Sequence, residues 1–266
     1  MTAPDGNNHN DHENPRAAMT AARTPGTPGT GGPAGPAASW HILIVCTGNL
    51  CRSPMAQYLA TALLQEALGT VAAPGVTVTS AGTSARDGTP IHPHAASVLA
   101  CRGLDPRAFT TRRLHAGLLD SADLVLCAER GHRAAVVTTA PKTVSRTFTL
   151  REFARVTAGL TPADISPDTA YPGGARNLGG AQPATDPLRR EPLPPAPETI
   201  RMCGQALVSR ALARRGLRRP AAPADDDIPD PIGSTVETFR MCAEQIGEAL
   251  AQPLELLARA ASGIAR

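Results

Sequence analysis

Apolar and polar positions along the chain alternate between two kinds of segment. An unbroken apolar run rich in β-branched residues occurs at 42–45, and another follows Asp123 within 123–127; they predict buried strands. Segments 76–80 and 145–150, which mix apolar and polar residues, predict two more strands. Between them the apolar positions recur with helical spacing. In 55–68, Met55, Leu59, Leu63, Leu64, Ala67 and Leu68 share one face, and Gly69 suits a C-terminal cap. Segments 93–103, 114–120 and 132–138 predict further helices. Ser234-x-x-Glu237 reads as a capping box opening a last helix whose buried face is Val236, Phe239, Ala243, Ile246 and Leu250, with Pro253 predicted to kink or break it. Strands alternating with helices predict an α/β fold: a four-stranded parallel sheet, helices on both faces, and right-handed crossovers.

Two regions fall outside this pattern. Residues 1–38 are dominated by Asn, Asp, Gly, Thr and Pro, as in Thr24-Pro25-Gly26-Thr27-Pro28-Gly29, and predict a disordered N-terminal tail. The tail has no apolar core after a basic start, so it does not read as a secretory signal. From about 155 to 224 the domain that spans 39–266 is interrupted by a Pro/Gly/Arg-rich insertion, with Tyr171-Pro172-Gly173-Gly174, Gly179-Gly180 and the prolines of 192–197. A helix is predicted inside it at 199–215, with Ile200, Cys203, Leu207 and Ala211 on one face.

Composition narrows the function classes. The 26 prolines and 24 glycines of the 266 residues are concentrated in those two regions, and a net charge of +3 gives no ground for a nucleic-acid or charged-membrane partner. No run of about 18 apolar residues is present, so no membrane span is expected. Six cysteines in a chain of this length do not make a disulfide framework; they point to a reducing compartment, the cytoplasm. His92-Pro93-His94 offers two ligands where a metal needs three or four, so neither metal nor cofactor is expected. Cys101 and Cys127 read as small buried hydrophobes.

The chemistry concentrates in residues 46–54. Cys46 closes the first strand; Thr47, Gly48, Asn49, Leu50 and Cys51 form a loop in which Gly48 and Asn49 tolerate a left-handed backbone; Ser53-Pro54 fits a helix start, with a hydroxyl N-cap and a proline at the first position. Successive N–H groups curled around one point make a nest for a tetrahedral anion, and a cysteine in its floor is a nucleophile. Amide dipoles and the nearby guanidinium favour the thiolate. Arg52, separated from Cys46 by five residues, offers a planar fork that matches two phosphoryl oxygens. Ser53 is placed to donate a hydrogen bond toward the sulfur.

Val-Cys-Thr-Gly-Asn-Leu-Cys-Arg-Ser-Pro at 45–54 resembles the signature of the low-molecular-weight protein tyrosine phosphatases, and the resemblance extends over 40 to about 153 and 225 to about 261. It implies that family's fold and the hydrolysis of phosphotyrosine, or other aryl phosphate monoesters, through a phosphocysteine intermediate. By resemblance Cys46 is the nucleophile, Arg52 binds phosphate and stabilises the transition state, Asn49 holds the loop, and Thr47 to Ser53 cradle the phosphate. The family carries its general acid in an Asp-Pro dipeptide on a late loop; Asp230-Pro231 matches, whereas Asp105-Pro106 and Asp186-Pro187 do not directly precede the final helix. Asp225, Asp226 and Asp227 read as a solvated acidic turn. The resemblance also implies a phosphotyrosine-bearing protein or a small aryl phosphate as substrate, and a tyrosine kinase among its partners.

Where the family often sets an aromatic residue after Asp-Pro, this chain has Ile232. Two related activities share the loop. Arsenate reductases of similar fold relay oxidation through further paired cysteines and usually lack a proline after the serine, whereas Ser53-Pro54 is present here. An arginine-phosphatase branch carries Thr at the position of Leu50, and the bulkier apolar Leu50 favours an aryl group. Cys46 and Cys51 face one loop and could join in a reversible disulfide that protects the nucleophile.

Overall fold

The computed structural model describes residues 39–167 and 194–263. The predicted tail at 1–38 and the Gly/Pro stretches between 168 and 193 lie outside the described residues. Four strands form one parallel sheet: β1 (Trp40–Cys46), β2 (Val76–Gly82), β3 (Leu124–Cys127) and β4 (Thr147–Thr149), in the order β2-β1-β3-β4. β1 is paired on both sides, with Cys46 opposite Gly82 and Val45 opposite Cys127. Alternate residues of β1 feed two cores. Trp40, Ile42 and Ile44 join one apolar cluster, and Leu43 and Val45 join the other, which explains why the run 42–45 contains no polar residue.

The larger core is roofed by α1 (Arg52–Ala72), α2 (Pro93–Ala100), α5 (Leu150–Thr157), α6 (Pro162–Ile165), α7 (Pro197–Arg214) and α8 (Val236–Ala261). The smaller one lies under α3 (Ala116–Asp120) and α4 (Arg130–Thr139), through Leu119 and Val136. Helices thus cover both faces, and every strand runs toward the edge where Cys46 ends β1. The sheet's carboxyl edge is where open α/β folds bind ligands.

Within the interrupted region, α7 buries Ile200, Cys203, Leu207 and Ala211 completely. They share a cluster with Trp40 and Ile42 of β1, so this helix belongs to the main core. Its far end is fastened by Arg215, which pairs with Glu152, donates to the Thr147 carbonyl at 2.5 Å, and sits 4.0 Å over the Phe148 ring. Glu152 also completes a capping box with Thr149 at the start of α5.

Several local expectations are corrected. Gly69 has a positive φ (74°) but an extended ψ (162°), so it kinks α1 rather than capping it, and helical structure resumes to Ala72. Ser53 is not an N-cap: α1 begins at Arg52, Cys51 precedes it, and the Ser53 hydroxyl turns to the loop instead. The capping box at 234 and 237 does not form, because α8 starts one residue later behind Thr235 and Glu237 pairs with Arg240. Val236, in that first turn, is exposed rather than buried. Pro253 neither ends nor interrupts α8. It removes one backbone donor, while Leu250, Leu254 and Leu257 keep the helix on both sides buried. Cys101 is exposed, since α2 stops at Ala100 and leaves it on the outer turn; Cys127 is buried as expected.

Candidate active site

The loop between β1 and α1 is held from outside by its carbonyls. The Cys46 oxygen accepts from Thr83 N, the Thr47 oxygen from Ser84 N (both 2.9 Å), and the Leu50 oxygen from His92 N at 3.0 Å. In a trans peptide the N–H points opposite the C=O, so these outward carbonyls turn the N–H groups of Thr47, Gly48 and Cys51 toward the loop's interior. Gly82 makes the close approach feasible: a Cβ there would come within 2.5 Å of the Thr47 oxygen and 2.8 Å of the Asn49 nitrogen.

Asn49, not Gly48, takes the left-handed conformation (φ 54°). Its buried amide pays back that strain in hydrogen bonds. Nδ2 donates to Ser53 Oγ at 2.8 Å and to Ser80 Oγ at 2.9 Å, and Oδ1 accepts from Arg112 N at 2.9 Å. Ser80 donates onward to Gln57 on α1 at 2.7 Å. Because Ser53 accepts from Asn49, its own proton is free for the Cys46 sulfur, 2.9 Å away.

The Arg52 side chain is buried and lies between two carboxylates. One Nη bonds Glu129 Oε1 and the Ile228 carbonyl (3.1 Å); the other bonds Asp230 Oδ2 at 2.6 Å and the Thr47 hydroxyl at 3.4 Å. A small pocket is lined by Cys46, Gly48, Leu50, Cys51, Arg52, Asp230 and Ile232. Arg52 and Asp230, 178 positions apart along the chain, therefore meet beside one sulfur. Burial, followed by the charges of Asp230 and Cys46, pushes the Cys51 thiol up to about 12, so beside Cys46 it stays protonated at neutral pH.

The Asp225-Asp226-Asp227 run is a solvated turn only at Asp225, which is exposed; the other two are drawn into the fold. Asp226 is buried and pairs with Arg155; Asp227 Oδ1 accepts from Arg130 N at 2.7 Å, at the start of α4; Asp225 Oδ2 accepts from Ala222 N at 2.7 Å. With Ile228 N bonded to the Ala128 carbonyl at 2.9 Å, they fix the segment that carries Asp230. Asp230 itself is partly exposed and accepts from Ile232 N at 3.2 Å, a local turn that aims its other oxygen at Arg52.

Three side chains near the loop escape a reading of the sequence. Glu129 directly follows the Ala128 that ends β3's pairing, at the same carboxyl edge as Cys46. A charge placed just after a buried strand was the available signal. His132, one turn into α4, bonds the Thr47 hydroxyl through Nε2 at 2.8 Å, and burial holds its pKa below the ordinary 6.5. Cys242 of α8 lies under the aspartate loop, its sulfur 3.9 Å from the Pro229 oxygen, and burial pushes its thiol up to about 12. Among the described residues, no group of three or more His, Cys, Asp or Glu could hold a metal. His92 instead caps α2 by accepting from His94 N and stacks on Phe239 at 4.7 Å.

Comparison with known proteins places this arrangement. Residues 41–166 match the family model described as low molecular weight phosphotyrosine protein phosphatase, a stretch that holds the loop but ends before Asp230. A probable low molecular weight protein-tyrosine-phosphatase, EpsP of Ralstonia nicotianae, is 39% identical over 111 residues, covering 42% of this chain and 70% of that protein. A protein-arginine-phosphatase of Geobacillus stearothermophilus is 39% identical over 120 residues, covering 45% and 75%. Among solved structures, a mutant of YwlE from Bacillus subtilis aligns over 83% of this chain and 97% of its own, with 21% identity and a TM-score of 0.49.

Proposed function

Because this chain belongs to the low molecular weight phosphotyrosine protein phosphatase family, we propose that Cys46 and Arg52, assisted by Asp230, hydrolyse phosphotyrosine and other aryl phosphate monoesters. The observation that supports these roles best is that all three side chains line one pocket at the carboxyl edge of the sheet. The thiolate of Cys46 attacks phosphorus in line with the leaving oxygen, and a phosphocysteine forms as the P–O bond breaks. Arg52 turns from Asp230 to two phosphoryl oxygens, and the inward N–H groups of the loop hold the rest. Asp230, released from Arg52, gives its proton to the departing phenolate. It then takes one from the water that cleaves the S–P bond, returning Cys46 as thiolate and releasing inorganic phosphate. Ser53 donates to the thiolate at both stages, and no cofactor enters either step.

The substrate we favour is a phosphotyrosine-bearing protein or a small aryl phosphate, with a tyrosine kinase as its counterpart. Leu50 and Ile232 give the pocket mouth an apolar lining suited to a phenyl ring. A second reading, phosphoarginine, is kept because a relative of equal identity is named a protein-arginine-phosphatase. Steady-state assays with a phosphotyrosyl peptide, phosphoarginine and arsenate side by side decide between them. The aryl reading requires kcat/KM for phosphotyrosine to exceed that for phosphoarginine, and a reversed order overturns it. Thiol-dependent arsenate reduction without ester hydrolysis would replace both.

A further inference from the structure

Glu129 and His132 stand one helical turn apart behind the phosphate loop, and each is joined to it. Glu129 Oε1 holds Arg52, while its other oxygen, Oε2, lies 4.0 Å from His132 Nδ1. His132 is almost wholly buried, and its Nδ1 has no hydrogen-bond partner. Thr47 Oγ1 accepts from Arg52 at 3.4 Å and keeps a second lone pair and its own proton, so its bond to His132 Nε2 fits either neutral tautomer of the ring. In both, the buried Nδ1 faces a carboxylate oxygen that it does not reach.

We propose that Glu129 and His132 form a proton-coupled holder for Arg52: when an oxyanion takes the guanidinium, Glu129 moves onto a protonated His132. The proposal rests on Arg52 being the oxyanion ligand. Once Arg52 leaves, both lone pairs of the Thr47 hydroxyl are free to accept from Nε2–H. Glu129 has lost its cation and can accept from Nδ1–H. Its charge favours the imidazolium already in the empty site, where it is shared with Arg52; in the occupied site it is no longer shared. The other charges facing the ring are Asp227 and Asp230 from the aspartate loop and Arg52 itself; when Arg52 is neutralised by the bound anion, the remaining three are carboxylates. Burial keeps His132 neutral in the empty enzyme, which leaves room for a proton to be taken up on binding. His132 is in this sense a positioning residue, and oxyanion affinity is linked to its proton.

Sulfate is a suitable probe, since it stays a dianion throughout the working pH range. Its inhibition of aryl phosphate hydrolysis and the NMR titration of the His132 ring, assigned with His132→Gln, are measured together. Without sulfate the His132 midpoint should lie below 6.5. Saturating sulfate should raise it by about one unit, and sulfate should inhibit about tenfold more strongly below the transition than above it. In Glu129→Gln the sulfate-linked shift should fall to less than half. Competitive sulfate with an unmoved His132, or a shift as large in Glu129→Gln, overturns the holder while leaving Arg52 as ligand. Sulfate that does not compete at all removes the Arg52 role and the holder together.

Discussion

Gly204 of α7 lies against the indole of Trp40, the first residue of β1, so closely that a methyl group at 204 would overlap the ring. Gly204→Ala should therefore destabilise the protein by about 1–3 kcal/mol, the usual cost of overpacking a core. The expected reading is a lower urea midpoint, with kcat unchanged in whatever remains folded. An unaltered midpoint would mean that α7 does not pack on the sheet.

Cys46→Ser should abolish turnover and leave the fold intact. A serine hydroxyl in that place has no base to activate it, since the nearest groups to the sulfur are Ser53 and the loop amides. Circular dichroism should match the parent. Phosphate release by the purified variant at even a tenth of the parent rate would dismiss the phosphocysteine route.

Asp230→Asn should lower kcat by about 10²–10⁴-fold for phosphotyrosine, and far less for nitrophenyl phosphate, whose phenolate leaves unaided. The control is Asp105→Asn. Asp105 also precedes a proline, but it is exposed and paired with Arg107, away from the loop. Equal losses on both substrates would point to a role in shaping Arg52 rather than in proton transfer.

Stability should fall as the solution is acidified below about pH 6.5, and part of that slope should belong to His132. Its pKa in the folded chain is lowered, mainly by burial, so the unfolded chain binds the proton more readily. The stabilisation is present above the unfolded value and is lost as pH falls through the folded one. His92, also lowered by burial and by His94, acts in the same direction. Urea midpoints from pH 8 to pH 5 should decline less steeply in His132→Gln than in the parent; parallel declines would exclude a His132 contribution.

What could be read from the sequence was whatever lay contiguous in it. The loop from Cys46 to Ser53 declared itself because nucleophile, turn residues and arginine follow one another, and the sheet's buried runs needed no partner to be recognised. Asp230 was reachable only through order along the chain. The errors share a cause, namely neighbours that the fold of the backbone, and not order along the chain, brings together. Ser53 looked like a helix cap because Asn49 and Cys46, which claim its hydroxyl, are brought near it only by the loop's left-handed turn. Asp226 looked solvated because Arg155, its partner, lies 71 residues earlier. Glu129 had no visible purpose until β3 was laid beside β1.

Around Cys46, the supporting bonds come from Ser80, Arg112 and Glu129, and last from Asp230, 178 residues beyond Arg52. A ribosome makes Cys46 early and these supports in turn. While the chain is being made, Cys46 therefore sits on an unbraced segment, and the Arg52 guanidinium has neither carboxylate to orient it. The pocket is complete only after residue 230 has emerged and the aspartate segment has bonded to Ala128. It stays unfinished through most of the chain's own synthesis, a delay written into the order of its residues.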